Sequence, residues 1–207
     1  GATMKNFALA AAAAVVLFAG VAEAGPTVEA IKKRDMLHCG VSTGLAGFSL
    51  PDSQGKWSGL DVDICKAVAA ALLGDGNKVK FVPSNAQQRF PMLQSGEVDM
   101  LSRNTTWTLS RDTSLGFNFA PVTYYDGQGF MVAKKLGVKS AKELNGATVC
   151  VQQGTTTEQN LADYFRATKM EFKPVVFTEL TEVEGAFFSG RCDVYTTDAS
   201  GLASTRA

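Results

Sequence analysis

The sequence has almost none of the residues from which metal centres are usually built. It contains one histidine, His38, and its four cysteines form no C-x-x-C pair. Zinc in proteins is held mainly by these two residue types, so we expect neither a metal nor a cofactor.

A surplus of charge is also absent, because the sequence has 20 Lys+Arg residues and 20 Asp+Glu residues. Such a chain exerts no general attraction on nucleic acid or on an anionic membrane, and we expect neither as a partner.

Long apolar runs are scarce as well, and the single one stands near the start of the sequence. It extends from Phe7 to Val21, follows Met4-Lys5-Asn6 and precedes Ala22-Glu23-Ala24. A basic start, a short apolar run and an A-x-A pattern are typical of a secretory signal peptide, whereas a membrane-spanning helix needs roughly 18 apolar residues or more. The pattern predicts that residues 1–24 are removed on export and that the mature chain begins near Gly25 without membrane insertion.

Strands and helices alternate from residue 36 onward. We predict strands over 36–41, 78–82 and 97–101, separated by helices over 60–73 and 87–94. Asp61 is the expected N-cap of the first helix, and Gly74 is its expected end. Proline is tolerated only in a first helical turn, so Pro91 predicts that the second helix begins late.

The same order returns in the second half of the chain. We predict strands over 147–152, 174–177 and 191–196, separated by helices over 156–166 and 181–188. The pattern S-G-x-x-D occurs at 95–99 and again at 189–193, each time between a helix and a strand. Alternation of this kind indicates parallel sheets, which bind ligands at the carboxyl ends of their strands. We therefore predict an α/β protein with a ligand cleft between lobe 1 (25–123) and lobe 2 (133–207), joined by a hinge crossover (124–132).

The four cysteines of an exported chain are expected to form disulfides, and four cysteines allow three pairings. Residues held in different lobes of a hinged protein are poor candidates for a covalent bridge. We therefore pair Cys39 with Cys65, and Cys150 with Cys192. The second bridge would join the first and third strands of its half, which are neighbours in a doubly wound sheet.

The segment 40–44 reads GVSTG and matches the G-x-S-x-G pattern of a serine nucleophile. That role requires a helix directly after the serine and a histidine downstream. Here a loop with Pro51 follows, and His38 stands upstream of Ser42. We therefore interpret the segment as a strand-end loop in which Ser42 and Thr43 face the cleft.

Longer stretches resemble a known family. These are CGVSTGLAGFSLPD, GLDVDICKAVAAAL, LQSGEVDMLSRNTTWTLSRDTSLGFNFAPVTYYDGQGFMV, CVQQGTTTEQNLADYF and SGRCDVYTTDASGLA. From about residue 30 to 201 the chain resembles the periplasmic amino-acid-binding proteins of ABC importers, family 3 of the bacterial solute-binding proteins, and especially their general L-amino-acid branch. The resemblance implies the type II periplasmic binding fold, with two α/β lobes that close over one solute.

The resemblance also implies a function and partners. We expect a monomeric periplasmic protein without enzymatic activity that binds free L-amino acids and delivers them to an inner-membrane ABC permease. Relatives continue beyond the strand that holds Asp198, complete the second lobe and cross back over the hinge. The resemblance therefore implies that this chain is the N-terminal part of a longer protein, with lobe 2 and the return crossover incomplete.

Ligand-binding residues follow from the same stretches. Arg111 matches the arginine that pairs with the ligand carboxylate, and Asp198 matches the acid that takes the ammonium. The further implied residues are Asn104 and Thr106 of lobe 1, Ser42 and Thr43 of the first loop, Thr155 and Thr156 near a helix N-terminus, and Arg103 at the cleft. Since Arg111 and Asp198 belong to different lobes, one ligand satisfies both only when the lobes close.

Two alternatives remain at this stage. One is a periplasmic enzyme on the same fold, similar to cyclohexadienyl or arogenate dehydratases, which needs a general acid with a raised pKa in the cleft. The other is a ligand-sensing module of a receptor or a cell-wall enzyme.

Overall fold

The computed structural model describes residues 25–206, so the predicted signal peptide lies outside the described residues. The helices of this part are α1 (Pro26–Arg34), α2 (Leu60–Leu73), α3 (Arg89–Gln94), α4 (Thr156–Ala167), α5 (Leu180–Phe188) and α6 (Ala199–Arg206). The strands are β1 (Leu37–Ser42), β2 (Leu50–Pro51), β3 (Trp57–Ser58), β4 (Val79–Ser84), β5 (Met100–Leu101), β6 (Gln128–Val132), β7 (Ala147–Gln152), β8 (Phe172–Phe177) and β9 (Val194–Asp198). None of these helices combines the length and the apolar character that crossing a membrane requires.

The first sheet places β1 between β4 and β5, and both neighbours run parallel to it. A central parallel strand is covered on both faces, and every residue of β1 except His38 is buried. Helices α1 and α2 supply Ile31 and Ala69 to a core that contains Leu37 and Val41 of β1. This core fixes the strand from which the GVSTG loop emerges.

The second sheet has the order β6-β9-β7-β8, with β6 antiparallel to β9 and the other pairs parallel. Side chains of β7 alternate between its faces, because Val149 and Val151 pack with Phe165 of α4 while Cys150 packs with Phe187 of α5. The sheet therefore carries helices on both faces, as the predicted doubly wound α/β fold requires.

Strand β6 belongs to the segment predicted to be the hinge crossover. It forms an edge of the second sheet, where Gln128 lies opposite Asp198 and Val132 lies opposite Val194. The start of β6 is thereby fixed beside the carboxyl end of β9.

The repeated S-G-x-x-D pattern has the same structural role in both lobes. In each copy the serine hydroxyl donates to a carbonyl of the preceding helix, and the glycine adopts a left-handed φ. The aspartate then accepts a backbone hydrogen bond from the second residue of the neighbouring strand. His38 N donates to Asp99 over 2.7 Å, and Thr148 N donates to Asp193 over 2.9 Å. Asp99 therefore fixes the amino end of β1, and Asp193 fixes the amino end of β7. The carboxyl end of each of these strands points toward the other lobe.

Because these repeats form turns, two strands are shorter at their start than predicted. The strands expected over 97–101 and 191–196 begin at Met100 and Val194. The late start predicted for the helix around Pro91 is confirmed, since α3 begins at Arg89. Helices α1 and α6 and the short hairpin of β2 and β3 were not predicted.

The expected N-cap of α2 was wrong. Gly59 is the N-cap, and Asp61 lies in the first turn with its side chain buried. The amides of Leu60 and Asp61 donate to the carbonyls of Gly47 and Phe48 over 3.0 and 2.9 Å. The loop carbonyl groups thus satisfy the donors that a capping side chain would otherwise bind.

Both disulfides join the cysteines that the division into lobes paired. Cys39 and Cys65 connect β1 with α2 across 6.1 Å between Cα atoms, and Cys150 and Cys192 connect β7 with the turn before β9 across 5.7 Å. The sequence had placed Cys192 within the third strand of its half, but Cys192 precedes β9, which begins at Val194. Each bridge stays within one lobe.

Replacing Cys150 and Cys192 together by alanine is expected to lower the free energy of unfolding by about 2–4 kcal/mol. The bridge spans 42 residues of the chain, so its loss frees a long loop in the unfolded state. Urea unfolding followed by circular dichroism measures the change. The unmodified protein in reducing agent is the control and should lose at least as much, whereas an unchanged urea midpoint in both samples would contradict a stabilising bridge.

Candidate functional site

A polar cleft lies where the carboxyl ends of strands from both sheets meet. Its walls are formed by Arg89, Arg103, Asn104 and Thr106 of lobe 1 and by Gln152, Thr155, Thr156, Thr157, Thr197 and Asp198 of lobe 2. Six of the predicted ligand-binding residues are among them. Arg111, Ser42 and Thr43 are not.

Arg103 follows β5 and is held by oxygens of lobe 1. Its Nη1 donates to the carbonyls of Ser84 (2.6 Å) and Asn85 (3.0 Å), and its Nη2 donates to Oδ1 of Asn104 (2.9 Å). Burial lowers the pKa of Arg103 to about 10, an effect that the carboxylate of Asp61 opposes. Burial also raises the pKa of Asp61 to about 6, against the effect of Arg103. Arg103 and Asp61 thus form an electrostatic pair at the base of α2.

Arg111 lies in a short π-helical turn, Ser110–Ser114. Its Nη1 donates to the carbonyl of Thr106 over 2.7 Å, and its guanidinium carbon lies 5.0 Å from the centre of the Phe90 ring. Burial lowers the pKa of Arg111, while the carboxylate of Asp198 has the opposite effect. The side chain that the family resemblance assigns to the ligand carboxylate is therefore held against the backbone of Thr106, which lines the cleft.

Asp198 ends β9 on the opposite side of the cleft. Its pKa is raised to about 6, first by burial and then by the Asp126 carboxylate, against the opposing effect of Arg89, Arg111 and Arg103. The ion pairs among the described residues do not involve Asp198 or any of these three arginines. The cleft thus sets one carboxylate in lobe 2 against three guanidinium groups in lobe 1 without a direct ion pair.

Two threonines at the start of α4 have different roles. The Thr155 hydroxyl accepts from Glu158 N over 3.1 Å and donates to the Gln152 carbonyl over 2.7 Å, so it caps the helix. The Thr156 hydroxyl lies 3.1 Å from the Thr106 hydroxyl of the other lobe. Thr156 therefore contacts lobe 1 directly, whereas the side chain of Thr155 is committed to its own loop.

The GVSTG loop does not supply cleft walls. Ser42 is buried, and its amide donates to the Ser49 hydroxyl over 3.2 Å, while Thr43 is exposed. A bend, not a helix, follows Ser42, and the ring of His38 contacts the Glu97 carbonyl. The geometry agrees with the interpretation that Ser42 is not a nucleophile.

Sequence reasoning missed four cleft residues, Arg89, Gln152, Thr157 and Thr197, and Arg89 is the charged one among them. It is 2% exposed, and it donates through Nη1 to the Asn104 carbonyl (3.0 Å) and through Nη2 to the Gly154 carbonyl of lobe 2 (3.1 Å). Burial and then Arg103 and Arg111 lower its pKa to about 8, with Asp198 opposing the shift. In the sequence Arg89 follows two glutamines and reads as part of a solvated helix. The available signal was its place just after β4, whose carboxyl end borders the cleft.

The two lobes touch at further points beside the cleft. Asn85 accepts backbone bonds from Gln87 and Gln88 through Oδ1, which leaves Nδ2 to donate to Glu179 of lobe 2 over 2.7 Å. Gly154 has a φ of 75°, and a Cβ added to it would lie 2.9 Å from Cγ of Gln87. The lobes are therefore in close contact at the segment that leads into α3.

The sequence is similar to those of known binding proteins. Residues 37–169 match the bacterial extracellular solute-binding proteins, family 3. The chain is 60% identical to the general L-amino acid-binding periplasmic protein AapJ of Rhizobium johnstonii and 56% identical to the glutamate/glutamine/aspartate/asparagine-binding protein BztA of Rhodobacter capsulatus, over 98% of this chain in each case. It spans 60% of the length of both relatives.

A solved structure has a similar fold. It is an ABC transporter periplasmic binding protein from Brucella ovis with glutathione bound, with a TM-score of 0.86 and 59% identity. The match covers 88% of this chain and 58% of that one.

Gly154→Ala is expected to push the lobes apart, because its new methyl group would collide with Gln87. Gly146→Ala is the matched control, since Gly146 has a similar φ of 79° but a Cβ added there would meet no heavy atom within 4 Å. Both variants should lose about 1–2 kcal/mol of stability from the left-handed backbone. Only Gly154→Ala should increase the radius of gyration in small-angle scattering, and equal radii for the two variants would contradict the close contact.

Proposed function

Because the chain belongs to the bacterial extracellular solute-binding proteins of family 3, we propose that it binds free L-amino acids in the interlobe cleft and delivers them to an ABC-type permease. The separation of charge across the cleft carries this proposal. An α-amino acid presents a carboxylate and an ammonium about one carbon apart. Asp198 of lobe 2 and the arginines of lobe 1 provide the complementary groups on opposite walls.

In the proposed complex Arg111 binds the ligand carboxylate. A planar guanidinium donates two parallel hydrogen bonds to such a group, and Nη1 of Arg111 is already oriented by the Thr106 carbonyl. Arg103 is equally fixed by Ser84 and Asn85 and adds positive charge beside it. Asp198 takes the ammonium.

Neutral groups complete the site. Asn104 accepts from Arg103 through Oδ1, which leaves its amide nitrogen for the ligand. The hydroxyls of Thr106 and Thr156 meet across the cleft, so a ligand bound between them contacts both lobes. Thr155 contributes through the amino end of α4, where backbone amides favour a carboxylate. Ser42 and Thr43 are proposed to shape the adjacent loop.

This arrangement couples binding to closure. A ligand that needs Arg111 and Asp198 together has a higher affinity for the closed state than for an open one, and therefore shifts the population toward closure. The permease would recognise the closed form. Periplasmic location is proposed on the same basis as the ligand, since the relative AapJ is a periplasmic protein.

One observation bears on the enzymatic alternative. The raised pKa of Asp198, about 6, is the property that a dehydratase-type general acid requires. At neutral pH, however, a group with this pKa is mainly ionised, which suits an ammonium partner better than proton donation. Incubation with prephenate or arogenate tests the alternative, and loss of water and CO2 from either would support it.

Calorimetric titration of the protein with the L-amino acids tests the proposed function. We expect measurable binding, and Arg111→Gln should weaken it by at least about thirtyfold, because removal of one partner leaves a buried charge unpaired. Arg166→Gln is the control, since Arg166 is exposed and pairs with Asp163 on the surface of α4. If no amino acid binds, or if both variants bind like the parent, the proposed function is wrong.

The affinity should also depend on pH through Asp198. The ammonium requires the ionised carboxylate, so affinity should fall as the pH drops through about 6. Well below that value the loss approaches about tenfold per pH unit, and binding releases a proton to the buffer. Calorimetry in buffers of different ionisation enthalpy measures that proton. Asp198→Asn should bind weakly at all pH values and release no proton from this position, with any remaining pH dependence assigned to Asp61.

A further inference from the structure

The turn that follows Asp198 is held by the crossover between the lobes. Asp198 ends β9, and α6 begins at the next residue, Ala199. The amide of Ala199 donates to the Gly127 carbonyl over 2.6 Å. The amide of Ser200 donates to Oδ1 of Asp126 over 3.2 Å, and the Ser200 hydroxyl donates to Oδ2 of the same carboxylate. Two consecutive residues of the crossover therefore hold the two residues that follow Asp198.

Strand pairing fixes the same place from the other side. Asp198 lies opposite Gln128 in the antiparallel pair of β6 and β9. Gln128 is anchored in turn, because its Nε2 donates to the Thr196 hydroxyl and to the Thr157 carbonyl, each over 3.0 Å. The backbone around Asp198 is thereby tied to residues 126–128 of the crossover.

The carboxylate of Asp198 has no such support of its own. It accepts no hydrogen bond and forms no ion pair within residues 25–206. Its direction is therefore set by the backbone that carries it and by the rotamers that this backbone allows. Of the groups that fix this backbone, Asp126 is the charged one, and a carboxylate at the amino end of α6 is also favoured by the helix dipole.

We propose that Asp126 is a positioning residue for the ammonium site: its carboxylate holds the turn between β9 and α6 and thereby directs Asp198 toward the cleft. The inference rests on the proposed function, in which Asp198 binds the ligand ammonium. The oxygens of Asp126 accept from Ser200 and from the amide of Gly127. Asp126 therefore acts through the turn and does not itself bind the ligand.

Asp126 also acts on Asp198 through its charge. The pKa of Asp198 is raised to about 6 by burial and then by the Asp126 carboxylate. Tyr195 of the same strand stays neutral, because burial raises its pKa, and the other lobe 2 residues of the cleft walls are uncharged. Removal of the Asp126 charge should therefore lower the pKa of Asp198, which the loss of a helix cap alone would not do. The groups that oppose the raised pKa are the guanidiniums of Arg89, Arg111 and Arg103.

Calorimetric titration with L-glutamine at pH 7.5 tests the positional role, because the ammonium and the carboxylate are the only charges of this probe. Asp126→Ala removes the hydrogen bonds to Gly127 and Ser200 and should lower the affinity about tenfold. Asp126→Asn retains an acceptor for both amides and should restore most of the affinity. Asp52→Ala is the matched control and should bind like the parent. Asp52 is also an exposed aspartate that accepts two backbone hydrogen bonds, but it lies between β2 and β3.

The ionisation of Asp198 is measured without ligand, from the carbon-13 resonance of its carboxyl group during a pH titration. The resonance is assigned from its absence in Asp198→Asn. Its midpoint should lie near pH 6 in the unmodified protein and in Asp52→Ala, and at a lower pH in both Asp126 variants. In Asp126→Asn the pH at which the affinity for L-glutamine falls should move down with this midpoint.

Each outcome has a separate meaning. If Asp126→Ala binds L-glutamine like the unmodified protein, Asp126 is a helix cap alone and the inference is overturned. An Asp126→Asn variant as weak as Asp126→Ala would assign the effect to charge and would also overturn the positional role. An unchanged Asp198 midpoint in both variants would contradict any coupling between the two aspartates. If the unmodified protein binds no L-amino acid, the proposed function is refuted, and the titration without ligand still decides whether Asp126 acts on Asp198.

Discussion

Parallel pairing of strands is the constraint on which the cleft depends. Because β1 runs parallel to β4 and β5, and β7 runs parallel to β8 and β9, the carboxyl ends of each set meet at one edge. The polar residues that follow these ends are brought together although they are far apart in the sequence. Asp99 and Asp193 support the arrangement from the opposite edge, where each accepts the amide of a neighbouring strand. The apolar cores hold the strands in place, and the carboxyl ends of the strands determine where the polar side chains of the cleft lie.

Burial then determines how the charged residues behave. The guanidiniums of Arg103 and Arg111 are oriented by backbone carbonyls and not by carboxylates. Such bonds fix the direction of a side chain, while the nearby carboxylates of Asp61 and Asp198 offset only part of the effect of burial on these arginines. The same burial raises the pKa values of Asp61 and Asp198 to about 6, so both remain mainly ionised at neutral pH. The cleft thereby carries charged groups on both walls, and hydrogen bonds fix the arginines.

Alternation of strands and helices was sufficient to predict the two doubly wound lobes, the cleft between them and the two disulfides. The roles of three residues could not be predicted, because they depend on contacts between segments that are distant in the sequence. Asp61 resembled a helix cap, but carbonyls from the preceding loop took that role. Ser42 was expected at the cleft, but it is buried and is not among the residues that form the cleft walls. Arg89 looked solvated in the sequence, but it is buried and donates to the Gly154 carbonyl of lobe 2.

The contacts between the lobes and the charges of the cleft make different contributions to closure. The contact between the hydroxyls of Thr106 and Thr156 and the bond from Asn85 to Glu179 join the two lobes. A hydrogen bond of this kind contributes about 1 kcal/mol net, because both groups are well solvated when the lobes separate. Burial lowers the pKa values of Arg89, Arg103 and Arg111, because their charged forms lose hydration where the lobes meet. In the proposed complex the ligand carboxylate beside Arg111 would offset part of this loss of hydration, so that a bound ligand favours closure.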